Sequence, residues 1–221
     1  MKPRLILVIG AARSGTSCVA GVLHTLGVRM GIEEHLIGPH PEFNPKGHFE
    51  DVCFHDFLAQ VLANEHRGGA TGAQWTEMQR LLAEHQQGPV WGLKDASLVH
   101  LGEWVAAAAA PDYGLRVVAV HRRFDGIVAS RQRHANEGQG ATYSEAVAST
   151  LRHLEAMGGT LRRLGARYPV HHIQYEAMVA RPGAEVPYLV SFALAGLLWP
   201  ADGDERLAQA VAFVDPELRH F

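Results

Sequence analysis

Short runs centred on apolar residues alternate along the chain with longer stretches whose apolar positions recur every three or four residues. The runs at 5–9 and 116–121 read as buried strands, the second rich in β-branched residues; strands are also expected at 90–93 and 170–174, with a further short one near Val28. The periodic stretches predict helices at 16–26, 52–64, 74–86, 98–109, 125–136, 143–167, 184–195 and 204–213. The longest of these carries Val147, Leu151, Leu154, Met157, Leu161 and Leu164 on one face, which reads as core packing. The alanine run at 106–110 ends its helix at Pro111. Alternation of this kind predicts an α/β fold of three layers, a mostly parallel central sheet flanked by helices. No repeat or low-complexity linker divides residues 1–221, so a single domain is expected. Two Gly/Pro-rich excursions, 31–50 and 65–73, are the loops in which substrate specificity is expected.

The first strand leads into the most informative segment, Leu5 to Ser17. Gly10 and Gly15 bracket a tight loop, and Thr16 opens the next helix. Strand, glycine loop and helix start together cradle an anion, because backbone N–H groups and the helix dipole both face it. The spacing is that of a P-loop, G-x-x-x-x-G-K-[ST], with Thr16 in the lysine position and the positive charge moved to Arg13. The loop therefore lacks the usual cation for the β- and γ-phosphates of a nucleoside triphosphate. It is expected to hold an anion met by Arg13, without obligatory magnesium. A second strand, 116–121, delivers Arg122 and Arg123 to its carboxyl end, where open α/β sheets bind ligands. Ser130 follows Arg122 by eight residues.

Arg13, Ser14, Gly15, Thr16 and Ser17 together resemble the [KR]-S-G-T-[ST] loop of sulfotransferases that use 3′-phosphoadenosine 5′-phosphosulfate (PAPS) as donor. The resemblance is to the bacterial type, with a P-loop-type fold, and it runs from residue 5 to about 196. It implies that the loop binds the 5′-phosphosulfate and that Arg122 and Ser130 bind the 3′-phosphate, a role suited to arginine's two-pronged fork. The family's usual Asp/Asn and Pro after that arginine are replaced by Arg123 and Phe124. Tyr175 opens a Y-E-x-[LM]-x-x-x-P stretch and matches a tyrosine near the donor's adenine; a core tyrosine at a strand end is the other reading. Lys94 lies in a W-G-x-K-[DT]-P pattern whose proline is Ala96, and the resemblance gives it the charge on the bridging oxygen during transfer.

The general base is the open question. Some members place a histidine two residues after the strand lysine, which here is Ala96. Others use a glutamate in N-P-x-G-[HYF]-[FW]-E, matched by Asn44 to Glu50. Glu50 is the first choice, Asp95 the second and His48 the third; a first-turn helix carboxylate is the alternative role for Glu50. Arg13 and Lys94 complete the expected catalytic set. PAPS is the expected donor and PAP (adenosine 3′,5′-bisphosphate) its product, with no metal required.

Composition narrows the setting. A content of 47% hydrophobic and 19% charged residues is that of a globular chain able to build a real core. A net charge of −3 speaks against general nucleic-acid binding. Two cysteines, Cys18 and Cys53, imply no disulfide framework and fit a reducing cytoplasm. The basic, apolar start faintly resembles a leader, yet cleavage there would destroy the loop, and no stretch is long enough to span a membrane. The fourteen histidines invite a metal reading, but pairs such as His48 and His55, or His171 and His172, lack zinc-site spacing and cysteine partners, and are expected to be structural or exposed. Three classes follow: a sulfotransferase acting on a small-molecule, carbohydrate or peptide acceptor; a P-loop nucleotide kinase or NTPase; and a non-catalytic PAP- or anion-binding relative.

Overall fold

A computed structural model describes residues 2–41, 44–65, 70–135 and 142–215. Four strands, β1 (Arg4–Ile9), β2 (Val90–Lys94), β3 (Gly114–His121) and β4 (Val170–Gln174), form one sheet in the order β2-β1-β3-β4, and every pair is parallel. Parallel strands need crossovers, and the helices supply them. In chain order these are α1 (Thr16–Thr25), α2 (Val52–Glu65), α3 (Gly72–Glu84), α4 (Leu98–Ala109), α5 (Phe124–Ala135), α6 (Tyr143–Gly165), α7 (Tyr175–Ala180), α8 (Pro182–Leu194) and α9 (Gly203–Phe213).

The pleat divides the core in two. Leu5, Leu7, Ile9, Leu93, Val117 and Ala119 pack under α2, α3, α4 and α6. Ile6, Val8, Val118 and Val120 face the other way, under α1, α7, α8 and α9. The central strand β1 is buried on both faces, which is why its sequence is a continuous apolar run rather than an alternating one. The result is the three-layer arrangement expected from the sequence. Among the described residues, no helix is long and apolar enough to cross a membrane.

Register decides where chemistry can sit. Val8 pairs with Lys94 and Ile9 with Ala119, so the carboxyl ends of β1, β2 and β3 finish side by side. The loop after Ile9, the ammonium of Lys94 and the turn at Arg122 therefore lie along one edge of the sheet.

Two local expectations change. The strand expected near Val28 is a single parallel bridge, Arg29 to Trp91, because Gly27 and Gly31, both at positive φ, turn the chain on either side of it. Tyr175 opens a six-residue helix of its own, α7, and Pro182 then starts α8 after Arg181 leaves helical geometry. Parts of both specificity loops (42–43 and 66–69) and of the C-terminal segment (216–221) lie outside the described residues.

Candidate active site

The glycine loop is built by close approach. A Cβ on Gly10 would lie 2.5 Å from Ser14 Oγ and 2.9 Å from the Val120 carbonyl oxygen. Gly15 sits at φ +94°, and a Cβ there would meet the Tyr175 ring at 2.2 Å. Arg13 adopts φ 75°, a left-handed conformation rare for a residue with a side chain, so the loop is held in a shape the sequence alone disfavours. Gly15 is the N-cap of α1 and supplies no side-chain cap, which leaves the first-turn N–H groups facing the crevice. Ser14 is buried behind the loop rather than on the wall of the cleft, and its Oγ has no partner among the described residues.

The end of β3 closes on this loop. Arg122 donates from Nη1 to the carbonyl oxygen of Arg13 at 3.0 Å, and its guanidinium lies 5.0 Å from the centre of the Tyr175 ring. Arg13 turns its own side chain away from the loop and donates from Nε to Ser130 Oγ at 3.0 Å. The residues expected at opposite ends of a bisphosphate donor thus form one contiguous polar cluster. It is rich in positive charge. Burial lowers the Arg13 pKa, and the nearby charges of Arg122, Arg133 and Arg131 lower it further. Burial likewise lowers that of Arg122 and pushes the Tyr175 hydroxyl up to about 12. Gathered, partly desolvated guanidinium groups favour an anionic occupant, which would relieve their mutual repulsion.

Lys94 completes the opposite wall. It is 5% exposed, and its Nζ donates to Glu50 Oε1 at 2.6 Å, Ser17 Oγ at 3.1 Å and the His48 carbonyl oxygen at 3.2 Å. All three ammonium donors are used. This bonding ties β2, the start of α1 and the 31–50 excursion into one unit. Glu50, also nearly buried, is brought against Lys94 and the helix start.

Asp95 is placed differently from Glu50. Its carboxylate is buried and does not line the cleft: Oδ1 accepts from Ser97 N at 2.7 Å, and Oδ2 bonds His55 Nδ1 at 2.8 Å. It therefore caps the turn into α4 and orients His55. His55, passed over in the sequence except as a poor metal pair, stands with Asp95 and Glu50 in a group whose ligand atoms all lie within 4.8 Å of one another. Burial opposes its charge, but the hydrogen bond and charge of Asp95, with Glu50 and Asp56 behind them, outweigh that and raise its pKa. His48 lines the cleft, and burial together with the charge of Lys94 lowers its pKa.

The cleft has a volume of about 180 Å³ and is floored by the glycine loop. Its far wall adds Lys46, Phe213 and Asp215. Lys46 donates to the Phe213 carbonyl oxygen at 2.7 Å, lies 5.0 Å from that ring's centre and pairs with Asp215 at 3.6 Å. Gly21 admits this wall: a Cβ there would strike Phe213 at 2.3 Å and Phe49 at 2.8 Å. The x of the N-P-x-G stretch and the end of the last helix carried no sequence signal, because only tertiary packing joins them.

No protein-family model and no curated protein matches the sequence. Solved structures do match. Sulfotransferase STF9 from Mycobacterium avium superposes with a TM-score of 0.64 at 14% identity, over 96% of this chain and 68% of that one. Sulfotransferase STF1 from Mycobacterium tuberculosis gives 0.52 at 16% identity, over 99% and 76%. Mouse sulfotransferase SULT7A1, solved with PAP, gives 0.52 at 12% identity, over 94% and 64%. The chain has the sulfotransferase fold.

Proposed function

We propose that this chain is a PAPS-dependent sulfotransferase that moves a sulfuryl group to a hydroxyl or amine of a small-molecule, carbohydrate or peptide acceptor. The observation that carries the reading is the convergence, at one set of strand ends, of an uncapped glycine-loop helix start, the Arg13–Arg122–Ser130 cluster and a buried lysine. A kinase reading leaves Thr16 in place of the triphosphate-binding lysine. The PAP bound to the mouse neighbour supports the same ligand class.

In this reading Gly15, Thr16, Ser17 and the backbone of Ser14 hold the 5′-phosphosulfate. Arg122 and Ser130 hold the 3′-phosphate, Arg13 stands between the two anions, and Tyr175 lies beside the adenine. Transfer is an in-line displacement dominated by positioning and charge. The acceptor oxygen or nitrogen attacks sulfur, the bridging S–O bond breaks, and PAP leaves with the electron pair. Lys94 meets the negative charge developing on that bridging oxygen. The acceptor's proton goes to Glu50, the carboxylate that bonds Lys94 and lines the cleft. The His55–Asp95 pair, next to Glu50, is the second candidate for that proton. Two free cysteines suit a cytoplasmic setting.

Calorimetric titration with PAP, with ATP and magnesium as the control, tests the donor. PAP is expected to bind at least about tenfold more tightly, a difference of roughly 1.4 kcal/mol. Tighter binding and turnover of ATP would replace this reading with the kinase one.

A further inference from the structure

We propose that His35, Asp51, Cys53 and His85 form a closed, structural zinc(II) site, separate from the transfer cleft. They come from three places: the 3-10 turn Glu33–His35, the start of α2 and the end of α3. One ligand atom from each lies within 4.8 Å of all the others.

Three of the separations match those of atoms sharing a metal. His35 Nδ1 is 3.4 Å from His85 Nε2 and 3.7 Å from Cys53 Sγ, and His85 Nε2 is 3.5 Å from Asp51 Oδ2. Zinc bonds of about 2.0–2.1 Å to nitrogen or oxygen and about 2.3 Å to sulfur, at tetrahedral angles, put neighbouring N and O atoms roughly 3.3–3.4 Å apart and N and S roughly 3.6 Å apart. The two contacts of His85 Nε2, at 3.4 and 3.5 Å, are long for direct hydrogen bonds between nitrogen and oxygen or nitrogen, which centre on about 2.9–3.0 Å.

The surroundings prepare the ligands. His85 Nδ1 is 3.0 Å from the Leu81 carbonyl oxygen, which can only accept, so Nδ1 carries the proton and Nε2 turns its lone pair to the cluster. Asp51 accepts Ile32 N on Oδ2 at 3.1 Å and Cys53 N on Oδ1 at 3.0 Å, which fixes the carboxylate. Asp51 and His85 are 1% and 3% exposed. One cation at the centre would satisfy all four atoms at once. Two nitrogens, one oxygen and one sulfur form a donor set zinc accepts, and four protein ligands leave no open position, as in structural rather than catalytic sites. On binding, the Cys53 thiol gives its proton to solvent and the thiolate bonds the metal; with Asp51 and two neutral histidines the site is then uncharged. The staple would fix Asp51, and with it the adjoining Glu50.

The test uses the full-length chain without a histidine tag, depleted of metal and titrated with cobalt(II). One equivalent is expected to bind at micromolar concentration, with the visible bands of tetrahedral cobalt and a single thiolate charge-transfer band, and zinc is expected to displace it. Cys53→Ser should lose the charge-transfer band, and His35→Ala should weaken binding at least about a hundredfold. Cys18→Ser should keep both signals. His35 lies at the partly exposed side of the cluster, and circular dichroism of each variant confirms folding. No uptake at micromolar metal, or uptake unchanged in both Cys53→Ser and His35→Ala, would overturn the assignment.

Discussion

At position 122 one side chain meets three demands: it bonds the Arg13 carbonyl, faces the Tyr175 ring and adds charge at the strand end. Arg122→Ala removes a charge-assisted contact of about 1.5–3 kcal/mol. PAP affinity is expected to fall by one to two orders of magnitude, while adenosine 5′-phosphosulfate, which lacks the 3′-phosphate, binds nearly as before. Equal losses for both ligands in calorimetry would remove Arg122 from the 3′ end. Glu50 poses the complementary question on the other wall. Glu50→Gln keeps an oxygen for Lys94 Nζ and removes the basicity, so turnover is expected to drop at least about a hundredfold with PAP affinity within about threefold. If turnover survives and His55→Gln abolishes it, the proton goes to the His55–Asp95 pair instead. Asp95→Asn would then act through His55, since its carboxylate is buried beneath that ring.

Among the elements, those whose sequence carries a single dominant signal were the most legible. β1 is an unbroken apolar run ending at a glycine loop, and α4 stops before Pro111; each lies within a residue of its expected bounds. α7 was not legible, because six residues hold less than two helical turns and no hydrophobic period. The bridge at Arg29 is one residue long and has no pattern at all. The strand ends also carry a pH response. His121, the last residue of β3, stacks on His172 with 2.9 Å between ring nitrogens. Burial, and then the charge of His172, lowers its pKa. The unfolded chain therefore takes up this proton first, at about pH 6.5, and the folded chain only at lower pH. The contribution is fully present above the unfolded value and is lost as the pH falls below it towards the folded one. Urea denaturation at pH 7.5 and pH 5.5 is expected to show wild type losing more stability than His121→Gln on acidification; the same slope in both would assign the acid response elsewhere.

Across the whole molecule, what escaped the sequence is what folding brings together from afar. The motif residues Arg13, Gly15, Thr16, Ser17, Glu50, Lys94 and Tyr175 do line one cleft. The bond between Arg13 and Ser130, the seat of His55 on Asp95 and the Lys46–Phe213 wall join positions 117, 40 and 167 residues apart, beyond any spacing rule. The four-residue cluster at His35 and His85 escaped for the same reason: no C-x-x-C or H-x-x-x-H spacing announces it. Transfer and stability are expected to differ in their need for metal. Transfer is expected to need none, because Arg13 and Lys94 supply the charge that magnesium supplies to triphosphate enzymes. Stability is expected to need one, if zinc staples α2 and α3 to the turn beside Glu50. Time and temperature separate the two. In the first minutes after excess chelator is added, the initial rate with PAPS and an acceptor should be unchanged, and magnesium should add nothing. After long incubation with chelator, the melting temperature should fall by at least about 5 °C and recover with zinc but not with magnesium. Immediate loss of activity restored by magnesium would point to triphosphate chemistry at the glycine loop, and a melting temperature indifferent to chelator would leave the cluster as a hydrogen-bonded one.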